Sequence, residues 1–506
     1  MFVKSFGSAV IGIDANTITI EVQVDRGAQL MMVGLPDTAV KESMQRIRAA
    51  IANSGYKNAV RSMTINMAPA DLRKEGAAYD LPVALAILAG TEQMIANDLD
   101  RYIIMGELSL DGSLRSIKGA LPMAIKAKKE GFKGLIVPKD NAEEAAIVSG
   151  IDVLPANSLQ EVVDFFNEVQ KIQPLQSSIE ALLQQPKHHA VDFSDVKGQL
   201  NIKRAFLIAA AGGHNVLMVG PPGAGKTMLA KRLPGILPPL TMNEALEATK
   251  IHSVAGKLRT KNGLIVERPF RSPHHTISDV ALVGGGSIPQ PGEISLAHHG
   301  VLFLDELPEF KRTVLEVLRQ PLEDRVVTIS RSRFTIDFPA GFMLVASMNP
   351  CPCGYYNHPT KACVCGPGIV QKYLNKISGP LLDRIDLHVE VTPVNFDELT
   401  QAKGSESSAS LREQVIQARC FQLQRSNQYN AALTTAQLKK YAPLNPACQS
   451  LLKTAMERLK LSARSYDRII RVSRTIADLE GSEHIQTHHL SEAIQYRSLD
   501  RENWAE

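Results

Sequence analysis

The stretch at residues 215–236 constrains the fold most, because an apolar run leads directly into a glycine-rich turn. It reads NVLMVGPPGAGKTMLAKRLPGI, and residues 220–227 match the phosphate-loop pattern G-x-x-x-x-G-K-[ST]. The four residues before the turn are uniformly apolar, as expected of a parallel strand that is buried on both faces. The order of strand, loop and helix therefore predicts an α/β fold that binds a nucleoside triphosphate.

The chemistry of this loop follows from its residue types. Glycines let the backbone curl so that its N–H groups point inward at phosphate oxygens, and the next helix adds the positive end of its dipole. Lys226 is expected to reach the β and γ oxygens, and the Thr227 hydroxyl is expected to ligate Mg²⁺. The predicted site for ATP and Mg²⁺ comprises Gly220, Pro221, Pro222, Gly223, Ala224, Gly225, Lys226 and Thr227.

Two later apolar runs end in polar residues that suit the same chemistry. GVLFLDE delivers Asp305 and Glu306, and FMLVASMNP ends at Asn349. We expect Asp305 to help hold Mg²⁺, Glu306 to polarise the attacking water as general base, and Asn349 to position that water. The alternative for the Asp–Glu pair is the cap of a helix N-terminus.

Four of the six cysteines crowd into NPCPCGYYNHPTKACVCGPG, as two C-x-C pairs separated by nine residues. Six cysteines in 506 residues do not make a disulfide scaffold, so this cluster indicates metal binding in a reducing compartment. Four thiolates can close a tetrahedral structural Zn²⁺ site, and free thiols are the alternative. The predicted ligands are Cys351, Cys353, Cys363 and Cys365.

The chain is long enough for several domains. A net charge of +4 does not by itself indicate a nucleic-acid partner. The N-terminus lacks the apolar core of a signal peptide, and no apolar run has the length of a membrane span, so we expect a cytoplasmic protein.

We predict an α/β domain at 1–170, a linker at 171–190, a nucleotide-binding core at 191–393 and a helical piece at 394–506.

Individual elements are predicted from periodicity. In the first domain, TITIEVQV, SMTINMAPA, YIIMGELSL and GLIVP read as strands, and DTAVKESMQRIRAAIANSG and ALPMAIKAKKEGF read as helices. In the C-terminal piece, RSYDRIIRVSRTIADLEG predicts an amphipathic helix. Arg464, Arg468 and Arg471 share its polar face.

The order of phosphate loop, acidic strand end and polar strand end resembles an AAA+ ATPase: a parallel sheet flanked by helices, with a helical C-terminal lid. In SGPLLDRIDLHVEV, Arg384 matches the arginine finger of the magnesium-chelatase and MCM-like branch, which implies a ring of subunits. A surface ion pair with Asp383 or Asp386 is the alternative. Arg464 matches the second sensor arginine of the family, and a solvated basic face is the alternative.

Two further segments resemble that branch. About 70 residues between the phosphate loop and the acidic strand resemble its helix-2 insert, and EDRVVTISRSRFTIDFPAGF predicts the pre-sensor-1 hairpin. The resemblance implies that Arg331 and Arg333, at the hairpin tip, contact DNA phosphates; mere solvation is the alternative. Paired histidines at 274–275 and 298–299 lack H-E-x-x-H spacing, so loop or core roles are expected rather than metal ligation.

The first domain resembles the Lon protease domain through GELSLDGSLRSIKGALPMAIKAKKEGFKGLIVPKDN. Lon peptidases need a serine and a lysine, but the matching positions hold Ala78 and Leu121. Without a nucleophile and its activating amine, peptidase chemistry is not supported. A non-catalytic role in assembly or binding is therefore expected.

Together these features resemble the ComM/YifB family over essentially the whole chain. That resemblance implies a hexameric, ATP-driven DNA motor that promotes branch migration during recombination and natural transformation, acting on single-stranded, duplex or branched DNA. The alternatives are a metal-chelatase-like motor subunit and a protein-remodelling ATPase or Lon-type protease. The Lon-like domain and the C-x-C pairs argue against the chelatase, and Ala78 and Leu121 argue against the protease.

Overall fold

Two compact units make up the protein. The computed structural model describes residues 1–34, 38–72, 74, 76–177, 191–258, 263–286, 289–331, 334–356, 358, 360–393, 406–459 and 461–497. Unit 1 comprises residues 1–185 and 242–266, and unit 2 comprises residues 186–241 and 267–506. Within the described ranges, every helix is too short or too polar to span a bilayer.

Unit 1 is built on a seven-stranded mixed sheet with a short hairpin beside it. Its strands are β1 Phe2–Ile11, β2 Asp14–Asp25, β3 Leu30–Val33, β4 Ser62–Ala68, β5 Tyr102–Ile104, β6 Glu107–Leu108, β7 Leu114–Arg115, β8 Gly134–Pro138 and β9 Asp152–Ala156. The order in the sheet is β3-β4-β2-β1-β5-β8-β9, and β6 pairs with β7. Along β2 every second side chain from Ile18 to Val24 is buried, as a sheet with one covered face requires. The four predicted strand segments are confirmed.

Helices cover the sheet of unit 1. The helix Asp80–Gly90 is buried along its whole length, which its nearly continuous apolar sequence explains. Both predicted helices of the first domain are confirmed. The α-helices among the described residues up to 177 are Thr38–Asn53, Asp80–Gly90, Ala120–Lys129, Lys139–Ala145 and Leu159–Phe166, with 3₁₀ turns at Ala77–Tyr79 and Leu99–Arg101.

The helix Met242–Val254 also belongs to unit 1, although the sequence analysis assigned its segment to the nucleotide-binding core. It packs against the helix Ala120–Lys129, and its residues Ala245, Ala248, Ile251 and Val254 are buried. The Ser253 hydroxyl donates a hydrogen bond to the carboxylate of Glu144. Residues 242–266 are thus an excursion of the chain into unit 1, held there by apolar packing and a buried hydrogen bond.

Unit 2 contains a five-stranded parallel sheet, which confirms the predicted α/β class. The strands of unit 2 are β10 Val216–Val219, β11 Phe270–Arg271, β12 Gly284–Gly285, β13 Gln290–Pro291, β14 Val301–Leu304, β15 Val326–Arg331, β16 Phe334–Pro339, β17 Met343–Met348 and β18 Leu387–Glu390. The order in the sheet is β11-β14-β17-β10-β18. All residues of β10, β14 and β17 are buried, as their apolar sequences predict.

The C-terminal helices share one hydrophobic core with this sheet rather than forming a separate compact unit. Helix Leu200–Gly212 packs against both Ser408–Ser426 and Ala463–Leu479. The other α-helices of unit 2 are Lys226–Ala230, Leu233–Ile236, Asp279–Val283, Glu293–Leu296, Arg312–Glu316, Arg319–Asp324, Pro367–Leu374, Gly379–Leu382, Thr435–Tyr441, Pro446–Leu459 and Thr487–Gln495. Its 3₁₀ turns are Phe193–Asp195, Leu307–Glu309 and Asn430–Ala432.

Two of the three arginines on the basic face predicted for the helix Ala463–Leu479 are bound to the core rather than solvated, and only Arg464 is exposed. Arg468 forms an ion pair with the buried carboxylate of Asp386, and Arg471 donates to the carbonyl oxygen of Leu433 at 3.0 Å. Burial raises the pKa of Asp386, but Arg468 and His214 outweigh it and hold that pKa well below the usual value. These arginines therefore attach the helix to the core, because each has a fixed partner.

Candidate functional site

Strand register brings the predicted nucleotide-site residues together. β10 and β17 pair so that Gly220, the first residue after β10, lies level with Asn349. β14 and β17 pair so that Asp305 lies level with Ser347. All three strands are parallel, so their carboxyl ends meet at one edge of the sheet, where ligands of open α/β folds bind.

The phosphate loop needs its glycines for two different reasons. A Cβ at position 220 would lie 2.3 Å from the carbonyl oxygen of Val391, so only glycine fits between the loop and the chain leaving β18. Gly223 and Gly225 have φ angles of 79° and 85°, a region that residues with a Cβ rarely adopt. The loop thereby takes the tight curl that phosphate binding requires.

The ammonium group of Lys226 lies inside the curl of this loop. Its Nζ donates to the carbonyl oxygens of Gly220 and Pro221 at 2.7 and 3.0 Å, and to Oδ1 of Asn349 at 3.0 Å. The residue is only 9% exposed. Burial lowers the pKa of Lys226, while the charges of Asp305 and Glu306 act in the opposite direction. Lys226 and Asn349, the residue predicted to position the attacking water, are therefore in contact.

The two predicted Mg²⁺ ligands are adjacent. The Thr227 hydroxyl donates to Oδ2 of Asp305 at 2.7 Å, and the Ser347 hydroxyl donates to the other carboxylate oxygen. Hydroxyl and carboxylate oxygens are the donors that Mg²⁺ prefers, so this pair can hold the ion. Sequence reasoning missed Ser347, although it is a polar residue within an otherwise apolar strand.

Glu306 lies at the exposed end of β14. Its backbone is left-handed, with φ of 54°, and its side chain is 58% exposed. Nδ1 of His275 lies 3.5 Å from its Oε2. The imidazole of His275 also contacts the rings of His274 and Phe310, at centroid distances of 4.1 and 6.4 Å. His275, for which only a loop or core role was predicted, thus lies in contact with the candidate general base.

Replacing His275 by alanine is expected to lower kcat for ATP hydrolysis by roughly fivefold, since an exposed pair of this kind contributes about 1 kcal/mol or less. The dissociation constant of a fluorescent ATP analogue should stay unchanged. The control is His484→Ala, because His484 is an exposed histidine that lies 178 positions after Glu306 in the chain. Equal losses of kcat in the two variants would contradict an orienting role for His275.

Arg384 is buried within its own subunit. Its side chain is 7% exposed, Nη2 lies 2.6 Å from Oε1 of Glu323, and Nη1 donates to the carbonyl oxygen of Pro380 at 2.6 Å. The expected alternative was a surface pair with Asp383 or Asp386, and the observed partner is instead Glu323. To contact a nucleotide on a neighbouring subunit, the guanidinium would have to leave Glu323.

Arg464 lies away from such buried contacts. The Arg464 side chain is 58% exposed, with Nη1 3.8 Å from Oδ2 of Asp383. β15 and β16 form the predicted antiparallel hairpin. Arg333 and the side chain of Arg331 lie outside the described residues, so their proposed DNA contact stays a prediction.

The four clustered cysteines converge. Their Sγ atoms all lie within 4.8 Å of one another. The three measured separations are 3.3 Å for Cys351–Cys353, 3.7 Å for Cys351–Cys363 and 3.5 Å for Cys353–Cys363. Tetrahedral Zn²⁺ with Zn–S bonds of about 2.3 Å requires sulfur separations near 3.8 Å, so this donor set suits the ion.

Backbone hydrogen bonds favour the thiolate of Cys353, whereas the pKa values of Cys363 and Cys365 are raised, because burial and the neighbouring sulfur atoms outweigh the backbone hydrogen bonds there. The N–H of Tyr356 donates to Sγ of Cys351 at 3.3 Å. Burial raises the pKa of Cys353, but the backbone N–H groups of Tyr355 and Val364 lower it to a net value below the usual one. Thiolates are the form in which cysteine binds metals.

The Lon-like positions in unit 1 carry no peptidase pair. Ala78 lies in a 3₁₀ turn, and the buried Leu121 donates its backbone N–H to Oε1 of Glu144 at 2.8 Å. Burial raises the pKa of Glu144. An apolar side chain and a buried carboxyl therefore lie at the position that the sequence resemblance predicts to match the activating amine of a Lon peptidase.

Comparisons with known proteins cover the whole chain. A family model for the magnesium chelatase subunit ChlI matches residues 192–399, one for its C-terminal part matches residues 405–497, and one for subunit ChlI of Mg-chelatase matches residues 20–141. YifB of Escherichia coli is 46% identical over 97% of this chain and 96% of its own. Competence protein ComM of Haemophilus influenzae is 45% identical over 98% of this chain and 97% of its own. Magnesium-chelatase subunit ChlI of a Nostoc species is 23% identical over 57% of this chain and 72% of its own.

Proposed function

Because the chain belongs to the ComM and YifB family of magnesium-chelatase-like AAA+ proteins, we propose that it is an ATP-hydrolysing DNA motor. The motor drives branch migration in homologous recombination and in natural transformation, in line with the name of the competence protein from Haemophilus influenzae. The proposal of ATP hydrolysis rests on one observation. Lys226, Thr227, Asp305 and Asn349 cluster around a single phosphate loop.

Each residue of the nucleotide site has one role in this proposal. The loop amides and Lys226 bind the β and γ phosphates, and Thr227 and Asp305 hold Mg²⁺, which neutralises charge that develops on those oxygens. Glu306 takes a proton from the attacking water, and Asn349 orients that water beside the γ phosphate. The exposed position of Glu306 next to His275 supports this role, because a base must reach the water that it activates.

Arginines from the family pattern complete the site in an assembled ring. Arg384 of one subunit would stabilise charge on the phosphoryl group bound by the next, which requires a closed ring, by family a hexamer. This step includes release of Arg384 from Glu323. Arg464, exposed near the start of its helix, would contact the phosphates as the second sensor.

DNA would be contacted by the hairpin of β15 and β16, with Arg331 and Arg333 against backbone phosphates.

Zn²⁺ would be held by the four clustered cysteines, whose sulfur separations and N–H···S bonds support a structural site. Unit 1 would act as a non-catalytic Lon-like domain, which the side chains of Ala78 and Leu121 support.

The proposal is tested by the response of the ATPase rate to DNA. Forked or single-stranded DNA at low salt is expected to raise the rate severalfold, and added salt should remove the effect because phosphate contacts are electrostatic. The same preparation should form rings by sedimentation and should move a branch point in a strand-exchange assay. Stimulation by unfolded protein but not by DNA would instead favour a protein-remodelling ATPase.

A further inference from the structure

The cysteine loop at residues 351–365 begins immediately beside the nucleotide site. Asn349, whose Oδ1 accepts from Lys226 Nζ at 3.0 Å, is separated by one proline from Cys351. Cys351 is completely buried, so the first metal-binding side chain is fixed next to the residue that orients the attacking water. The cysteine cluster and Asn349 are thus linked by two peptide units.

The same loop also touches the phosphate loop. Gly354 has φ of 84°, and a Cβ there would lie 2.5 Å from Cδ of Pro222, the third residue of the phosphate loop. Only a glycine permits this close approach. The segment from Cys351 to Gly354 therefore packs against the predicted phosphate loop.

The helix that follows the cysteine loop returns to the same asparagine. The hydroxyl of Tyr373, on Pro367–Leu374, lies next to the backbone N–H of Asn349. Burial raises the pKa of Tyr373, so this hydroxyl stays neutral. Asn349 is consequently held from both ends of the loop, through the chain to Cys351 and through Tyr373.

This loop has almost no core of its own. Among its described residues only Cys351 and Gly354 are buried, and the remainder are exposed or half-buried. A segment that buries so little apolar surface does not offset the entropy of ordering its backbone, and a metal that ties its side chains together supplies that free energy. Its conformation against Pro222 and Asn349 would therefore depend on the metal.

We propose that the Zn²⁺-bound cysteine loop is a positioning element for the nucleotide site. In this proposal the loop keeps Gly354 in contact with Pro222 and Asn349 in contact with Lys226. Loss of the metal would therefore make both the phosphate loop and Asn349 less ordered. This inference rests on the proposed function only in taking ATP and Zn²⁺ as ligands of these two sites. It makes ATP binding sensitive to thiol oxidation and to metal depletion.

The experiment measures zinc content by elemental analysis and the dissociation constant of a fluorescent ATP analogue without DNA. Cys353→Ser/Cys365→Ser is expected to lose about one zinc ion per chain and to bind nucleotide roughly tenfold more weakly. Gly354→Ala is expected to retain zinc and also to bind roughly tenfold more weakly, because an added methyl group in a packed contact is costly. Wild-type protein stripped with a chelator should weaken likewise and recover on adding Zn²⁺ alone.

Two glycine controls separate this contact from general effects of alanine. Gly368→Ala lies in the same segment with open space around its Cβ, and Gly481→Ala has the positive φ of 64° with open space as well. Both are expected to bind nucleotide as the wild type does. Unchanged nucleotide affinity in the metal-free protein, or in zinc-loaded Gly354→Ala, would overturn the proposal. A wild type that binds ATP but ignores DNA would refute the DNA motor alone, so the two failures are distinguishable.

Discussion

Replacing Glu306 by glutamine is expected to slow ATP hydrolysis by roughly 10²- to 10⁴-fold, the contribution of a positioned general base. ATP should remain bound, because the contacts of the phosphate loop come from Lys226, Thr227 and backbone amides. Glutamine retains the shape and one hydrogen-bonding oxygen of Glu306 but does not accept a proton at neutral pH. The variant should therefore trap ATP, which single-turnover kinetics with radiolabelled ATP would detect.

The matched control for this variant is Glu309→Gln. Glu309 lies three residues further on, is half-exposed and contacts Lys376 rather than the nucleotide site. Its replacement should leave hydrolysis unchanged. Normal turnover in Glu306→Gln would remove Glu306 as the base and leave the proton with another acceptor.

Replacing Lys226 by alanine is expected to weaken nucleotide binding by roughly 30-fold or more, because truncating a buried charged hydrogen-bonding group costs about 2–5 kcal/mol. The ammonium group is enclosed by three oxygen atoms of the phosphate loop and Asn349, so no other cation of the loop takes its position. Titration with a fluorescent ATP analogue measures the loss directly.

Lys231→Ala is the control for this second variant, since Lys231 is an exposed lysine five residues further along the same segment. It should bind nucleotide normally. The two main variants also separate binding from chemistry, because one is expected to lose ATP and the other to retain it unhydrolysed. Tight ATP binding by Lys226→Ala would mean that the loop amides alone carry the affinity.

The convergence of the candidate nucleotide-site residues could be predicted from the sequence because each part of the motif is local. Lys226 and Thr227 follow an apolar strand in a spaced pattern, and Asp305, Glu306 and Asn349 each end another apolar strand. In a parallel sheet such strand ends converge without further information. The cysteine cluster was predictable for the same reason, since its spacing is contained within 15 residues.

Contacts that depend on tertiary register could not be predicted. His275 reaches Glu306 from a loop after β11, 31 positions earlier in the chain, and Ser347 reaches Asp305 from a neighbouring strand. The partner of Arg384 is Glu323, rather than the aspartates beside it in sequence, because folding brings a distant helix to the arginine. No local pattern encodes these pairings.

The assignment of residues 242–266 differed for a related reason. The sequence places this segment within the insert between the phosphate loop and the acidic strand, but it does not show which hydrophobic surface the segment covers. The buried hydrogen bond of Ser253 to Glu144 and the packing against Ala120–Lys129 decide the matter in favour of unit 1.

The excursion of residues 242–266 into unit 1 makes the first unit impossible to excise with a single cut. A protease that cleaves between the units near residue 185 would leave the helix Met242–Val254 on the C-terminal fragment, while its folding partners remain on the other. A shortened chain that starts after residue 185 would expose the apolar side chains of that helix to solvent. Such exposed apolar surface favours aggregation. The two fragments of the cleaved chain are instead expected to stay associated, because the helix Met242–Val254 of one fragment still packs against the helix Ala120–Lys129 of the other.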